Sequence, residues 1–297
     1  MKSIVIFGGA GFVGKHILCK ISKLGYKIIV PYQKQTNEAK LKLLGEAGQI
    51  IPFHFTSLHE KRLKKIIEKS EICINLKTTW DNKKYSYHKS IFDFNVKLIS
   101  ILNNCNTAKK LIFFSGLGID QSTNSLRDRA ILDVEKHIKN NLRNSIIIRP
   151  SVIFGSNDTK NFHSLNTIIQ HMPFIPLPYY GKFKWEPVFV EDLAYYIAER
   201  GLRKNKKKEI SNVVGPETLS FCEILSKMEK YRKVKRIKIP IPDFYMIILK
   251  KLLALFISKH SIEAIFSSFS DKVFHGDKVR LSTKFGDFLR ATESVQI

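Results

Sequence analysis

The feature that most restricts what this chain can become lies at its start. An apolar run over residues 3–7 breaks into Gly8-Gly9-Ala10-Gly11-Phe12-Val13-Gly14, and residues 12–24 then follow a helical period. Gly8, Gly11 and Gly14 are spaced G-x-x-G-x-x-G between a predicted strand and a predicted helix. Each glycine has its own physical duty. The first permits a tight turn, the second lets backbone amides approach a pyrophosphate, and the third lets the helix pack close to the strand. The first helical turn, with Phe12 and Val13, then directs its amides at the phosphates of a bound dinucleotide.

The rest of the first half keeps this rhythm. Short apolar runs at 27–30, 50–55, 72–76, 110–114 and 145–148 read as strands, and Pro31 is expected to stop the second of them. Helical patterns fill the gaps at 58–69, 90–104 and 128–140. Strands alternating with helices predict an α/β fold, a Rossmann-type doubly wound parallel sheet. After Pro150 the rhythm changes and Pro173, Pro176, Pro178 and Pro187 crowd together, which predicts a smaller loop-rich and helical C-terminal lobe. The expected division is a dinucleotide-binding core over 1–155 and a mixed part over 156–297 that returns an outer helix and strand to the core.

Composition excludes two alternatives. Hydrophobic residues are 44% of the 297, with 21 Phe and 10 Tyr, too much apolar surface for a disordered chain. Cys19, Cys73, Cys105 and Cys222 are widely spaced with no C-x-x-C, so a disulfide scaffold is not expected and reduced thiols are. The nine His show no metal-ligand spacing, His54, His59, His163 and His171 reading as packed or surface residues, and no metal site is expected.

The second strand runs into Pro31-Tyr32-Gln33-Lys34, about twenty residues past the glycines, where this architecture reads the adenosine ribose. No acid stands there to take a 2′-hydroxyl. Gln33 and Lys34 therefore point to NADP(H), with NAD(H) as the alternative.

Several further stretches carry a resemblance. They are Arg149-Pro150-Ser151-Val152-Ile153-Phe154-Gly155, Glu186-Pro187-Val188-Phe189-Val190-Glu191-Asp192, Val30-Pro31-Tyr32, Ile74-Asn75-Leu76, Pro173-Phe174-Ile175-Pro176-Leu177 and Val214-Gly215-Pro216-Glu217. Together with the glycine loop they resemble the extended short-chain dehydrogenase/reductase superfamily. The closer resemblance is to its atypical branch, which holds the nucleotide-binding accessory subunit of respiratory complex I (alpha subcomplex subunit nine) and its bacterial relatives. The resemblance implies a dinucleotide site that includes Leu76, Lys77, Asn95, Ser115, Arg129, Pro150, Ser151 and Val152. Relatives place small or apolar residues at the Lys77 position, so Lys77 either crowds the site or adds a phosphate contact. Pro150, Ser151 and Val152 are expected at the nicotinamide end.

The catalytic apparatus is altered. Short-chain dehydrogenases use a Tyr acid/base with a Lys four residues on. By resemblance Ser125 holds the Tyr position and Arg129 the Lys position. An aliphatic hydroxyl is far too weak an acid to replace a phenol. Ser115 keeps the hydroxyl at the end of the fifth strand, and Ser115, Ser125 and Arg129 read as vestigial. Tyr85/Lys89, Tyr180/Lys184 and Tyr231/Lys235 reproduce the spacing elsewhere, away from that strand.

The formal charge is +24, from 39 Lys and 11 Arg against 26 acids. Codon bias could supply much of it, and an anionic partner could supply the rest. No window reaches the ~20 apolar residues of a spanning helix. The basic stretch from Lys230 leads into an apolar helix over 243–258, so residues 230–258 are expected either to meet an anionic membrane surface or a partner's groove, or to be buried in the C-terminal lobe. The chain shows no secretory signal, and a cytoplasmic, membrane-peripheral or mitochondrial matrix location is expected. Three functions remain in play: a non-catalytic dinucleotide-binding accessory or regulatory protein of the respiratory chain or quinone metabolism, partnered with complex I or another membrane-associated protein; an active NAD(P)-dependent reductase or epimerase with another acid/base; and a nucleic-acid regulator on a dead dehydrogenase fold. The last lacks any helix-turn-helix, zinc finger or stacking motif and is not favoured.

Overall fold

The computed structural model describes residues 2–33, 35–77, 86–105, 109–120, 125–156, 161–203, 209–253, 269–287 and 289. Two compact units emerge. The first comprises Met1–Ile119, Leu126–Arg149 and Val190–Ser211, and the second Asp120–Ser125, Pro150–Phe189 and Asn212–Ile297.

In the first unit β1 (Ser3–Phe7), α1 (Phe12–Ser22), β2 (Lys27–Tyr32), α2 (Glu38–Lys42), β3 (Ile50–His54), α3 (Lys61–Lys69) and β4 (Ile72–Asn75) follow one another. A π-helical turn, His88–Asp93, leads into α4 (Phe94–Asn103), then β5 (Lys110–Phe114), α5 (Leu126–Asn141) and β6 (Ser145–Pro150). The strands pair in parallel, with β1 between β2 and β4. Every residue of β4, β5 and β6 is buried. That is why these strands read as continuous apolar runs rather than alternating ones: helices cover both faces.

The chain goes on through β7 (Ile153–Phe154), α6 (Asn161–His171), β8 (Phe174–Pro178), β9 (Lys184–Trp185), β10 (Val188–Phe189), α7 (Val190–Tyr196), β11 (Glu209–Val214) and β12 (Leu219–Ser220). It ends with α8 (Phe221–Arg232), β13 (Ile237–Ile241), α9 (Asp243–Leu253) and β14 (Val279–Arg280). The central sheet has eight strands in the order β14-β11-β6-β5-β4-β1-β2-β3. This is the expected doubly wound architecture, and the strand order reverses between β1 and β4. Ligands of such sheets bind at that reversal, beyond the carboxyl ends of the strands.

Each unit has its own core. Val5, Phe7, Leu63, Leu98, Leu111, Phe113, Val134 and Ile147 belong to that of the first, and Phe154, Trp185, Phe221, Leu225 and Phe285 to that of the second.

Two expectations need correction. Pro31 does not stop β2, which continues to Tyr32 and pairs Pro31 with Phe53. Lys27 N–H donates to Lys2 on the β1 side and Ile28 N–H to Gln49 on the β3 side. Alternation puts the missing Pro31 N–H on the β1 side, beyond the last β1–β2 pair at Ile29, so no ladder bond is lost. The proline-rich segment is likewise not all loop. β8 and β13 form a parallel two-stranded ribbon, with Ile237 opposite Phe174 and Ile239 opposite Pro176.

Helix α9 stands out in the second unit. Of its described side chains Met246 is the buried one, whereas Phe244, Tyr245, Ile247, Ile248, Leu249 and Leu252 are exposed, Phe244 by 67%. The expected helix was longer; residues 254–258 lie outside the described ones.

Candidate functional site

The glycine loop closes on itself at the carboxyl end of β1. Gly8 adopts φ +79°, and a Cβ there would stand 3.0 Å from the Leu76 carbonyl carbon. Gly11 N–H donates to Gly8 C=O at 3.0 Å, which tightens the turn. At Gly14 a Cβ would fall 2.4 Å from the Gly8 oxygen and 2.6 Å from Gly9 Cα, so only glycine lets α1 start this close to the strand. A Cβ at Gly11 would meet only the Gly8 oxygen, leaving the outer side of the loop open. No side chain caps α1 and no acid lies in its first turn. The amide-rich end around Phe12 and Val13, with the helix's partial positive charge, therefore suits an anion. The residues present fit a dinucleotide pyrophosphate.

Beside this loop, Asn75 at the end of β4 is fully buried. Its side-chain amide donates to Asn95 Oδ1 at 2.7 Å, and its own oxygen accepts the Lys77 N–H at 3.0 Å. Asn95 in turn donates to the Ile91 carbonyl at 2.8 Å, within the π-helical turn. Asn95 is thus a core residue that holds α4 to the β4 terminus, not a surface asparagine. Lys77 leaves this anchor toward β2, where its ammonium donates to Gln33 Oε1 at 2.7 Å and lies 4.1 Å from the centre of the Phe94 ring. Burial pushes the Lys77 amine down to about 8. Tyr32 donates to Glu38, the first acid after β2, and this bond raises the phenol above its ordinary range. Lys34 lies outside the described residues.

At the end of β5 the surviving hydroxyl is engaged. Ser115 Oγ donates to Glu135 Oε1 at 2.6 Å, and Arg149 grips the same carboxylate through Nε (2.9 Å) and Nη2 (2.5 Å). The Glu135 side chain is 2% exposed and that of Arg149 10%. Such a fork-on-carboxylate pair is strong and geometrically fixed. Arg129, four residues into α5, is exposed. The sequence reading missed Glu135 and Arg149, although a signal was there: Glu135 interrupts the apolar stripe of Ile131, Val134 and Ile138, and Arg149 ends a buried strand.

The other expected residues belong to the second unit. Ser125 is buried just before α5, and Pro150 is buried at the end of β6. Ser151 donates from its N–H to the Val213 carbonyl at 2.9 Å and from Oγ to the Lys272 carbonyl at 3.0 Å, while Val152 packs against the second core. Elsewhere in that unit buried Glu186 is held by Lys278 at 2.6 Å, by the Phe274 N–H at 3.1 Å and by Thr218 at 3.3 Å. Among the described residues no three His, Cys, Asp or Glu side chains gather into a metal site.

Residues 4–119 match the NAD dependent epimerase/dehydratase family. The chain is similar to the protein of Dictyostelium discoideum named NADH dehydrogenase (ubiquinone) 1 alpha subcomplex subunit 9, mitochondrial: 28% identical over 262 residues, 87% of this chain and 70% of the relative. The Arabidopsis thaliana protein of that name is 26% identical over 245 residues, 80% of this chain but only 60% of the relative's length. Among solved structures, dTDP-glucose 4,6-dehydratase from Bacillus anthracis superposes with a TM-score of 0.69 at 16% identity, over 82% of this chain and 85% of that one. UDP-glucuronic acid 4-epimerase from Bacillus cereus gives 0.67 at 17%, over 81% and 86%. At such identities these two establish the fold.

Proposed function

We propose that this chain, which carries an epimerase/dehydratase-type domain over residues 4–119, is a dinucleotide-binding accessory protein and not a working dehydrogenase or epimerase. The observation that carries the reading is the state of the acid/base positions. Ser125 and Arg129 stand where the resemblance puts Tyr and Lys, and the hydroxyl kept at the end of β5, on Ser115, is bonded to a carboxylate already held by Arg149. A dinucleotide here has its pyrophosphate on the α1 amides and stabilises the fold by mass action. NADP(H) is the preferred form, because Gln33 follows directly on β2 and no carboxylate of the described residues there is free to take a 2′-hydroxyl, Glu38 being bonded by Tyr32.

The two relatives' names carry the rest: the protein acts within a complex I-like respiratory assembly or beside it. The exposed apolar side chains of α9, with Lys250 and Lys251 exposed on the same helix, support peripheral contact with an anionic membrane face. No helix among the described residues is long and apolar enough to cross a membrane.

The test is native mass spectrometry of the purified chain, followed by NAD(P)H oxidation assays with carbonyl and nucleotide-sugar substrates. A co-purifying dinucleotide and no turnover are expected. Turnover at about 1 per second or faster would establish an enzyme, and failure to bind either dinucleotide would remove the reading.

A further inference from the structure

The Lys77 side chain lies in an unusual place. It starts beyond β4 and its ammonium ends against Gln33, beyond β2, with β1 between them. The Lys77 and Gln33 side chains together therefore bridge two strand spacings, roughly 10 Å, across the carboxyl end of β1 and beside the glycine loop. Gln33 stands where this architecture reads the adenosine ribose at its 2′ position. A positive charge is thus delivered to that spot from β4, not from β2.

The charge is poorly compensated. Its recorded contacts are the neutral Gln33 oxygen and the face of Phe94, and no carboxylate of the described residues pairs with it. Burial alone depresses its basicity. Its backbone is fixed, because the Lys77 N–H is bonded to Asn75, which is tied to Asn95. A partly desolvated ammonium whose backbone is held in place, next in the chain to the Leu76 that packs on the glycine loop, is well disposed toward a second anion.

We propose that Lys77, steadied by Gln33 and Phe94, is the specificity determinant of the dinucleotide site and takes a phosphate monoester on the ribose 2′-oxygen. The inference rests on the dinucleotide reading above and adds which residue distinguishes the two cofactors. When the phosphate enters, the ammonium exchanges a neutral acceptor for a dianion. With an unphosphorylated ribose it keeps Gln33 and gains nothing.

The test compares equilibrium dissociation constants of NADPH and NADH for the full chain and for Lys77→Met and Lys77→Arg, with 2′,5′-ADP and 5′-AMP as competing probes. Lys77→Met keeps the unbranched stem of the side chain and removes its ammonium. It should weaken NADPH and 2′,5′-ADP by about tenfold or more, the loss of one charge-assisted contact, and leave NADH and 5′-AMP within about twofold. Lys77→Arg should keep most of the NADPH preference. Thermal melting of the unliganded variants separates misfolding from lost recognition, and Lys77→Arg supplies a folded variant if Lys77→Met melts early. Equal weakening of NADPH and NADH by Lys77→Met would overturn the proposal, placing Lys77 on the shared part of the ligand. An unchanged NADPH to NADH ratio would overturn it too. If the native chain binds neither NADPH nor NADH, it is the dinucleotide reading that fails.

Discussion

Replacing Glu135 by Leu removes the carboxylate that holds both Arg149 and Ser115. The guanidinium then stays in a site where its side chain is 10% exposed, without the partner that took its Nε and Nη2 protons. Breaking a buried pair from one side costs about 3–5 kcal/mol, because the remaining charge has lost its water and its counter-charge. Arg149→Met acts from the other side and should cost a similar amount, with Ser115 still donating to the stranded carboxylate. The double variant, Glu135→Leu with Arg149→Met, leaves no buried charge. It should lie within about 1 kcal/mol of the native chain or above it, so the two single losses do not add. Ser115→Ala removes one hydrogen bond while Arg149 keeps both carboxylate oxygens, and should cost only about 1–2 kcal/mol. Urea unfolding followed by circular dichroism gives the readout. For a slope of about 3 kcal/mol/M, each charged single variant should lower the midpoint by about 1 to 1.7 M. Additive single losses, or single variants within about 0.5 kcal/mol of native, would refute the reading of this cluster as a coupled, desolvated unit.

Gly14→Ala places a methyl 2.4 Å from the Gly8 oxygen and 2.6 Å from Gly9 Cα. It should push α1 off the loop and abolish dinucleotide binding, as read by isothermal titration, whereas Gly11→Ala should weaken binding with less loss of stability. The Lys77 amine predicts a pH effect. Its folded value, about 8, lies below the ordinary 10.5, so the unfolded chain holds the extra proton between them. The unliganded chain should gain stability from this group as pH rises from about 8 toward 10.5, and carry the full burial penalty below 8. NADPH needs the protonated amine, so its affinity should fall as pH passes 8 while that of NADH stays level; parallel curves for the two would contradict this. For α9, co-sedimentation with vesicles containing anionic lipid should be lost in a Phe244→Ser, Leu252→Ser variant and reduced by Lys250→Glu with Lys251→Glu. Equal binding to neutral vesicles would count against the electrostatic part.

Much of the first unit is legible because its signals are local. A glycine's duty depends on the residues beside it, and a strand covered on both faces is an unbroken apolar run. Ser3–Phe7 and Lys110–Phe114 are found with the bounds the sequence predicts. Pro31 misleads because a proline's cost depends on which neighbour its missing N–H would face. That in turn depends on where β1 ends, a fact held in another part of the chain. The ribbon of β8 and β13 is hidden for the same reason: prolines at 176, 178 and 240 look like loop until their paired register is known.

The sequence by itself determines the α/β class and the dinucleotide loop, which follow from residue type and spacing along a single stretch; that Ser125 and Arg129 hold the Tyr and Lys acid/base positions is what the family resemblance implies. Only the tertiary structure decides what the remaining polar groups do. Ser115 reads as a vestigial hydroxyl at the end of the fifth strand until Glu135, 20 residues away, is found bonded to it and held in turn by Arg149, 34 residues away. Lys77 reads, by resemblance, as either crowding the site or adding a phosphate contact until its ammonium is found beside Gln33. The reason is physical. The free energy of a buried charge depends on the atoms that replace its water, and those atoms are assembled by the fold from distant parts of the chain.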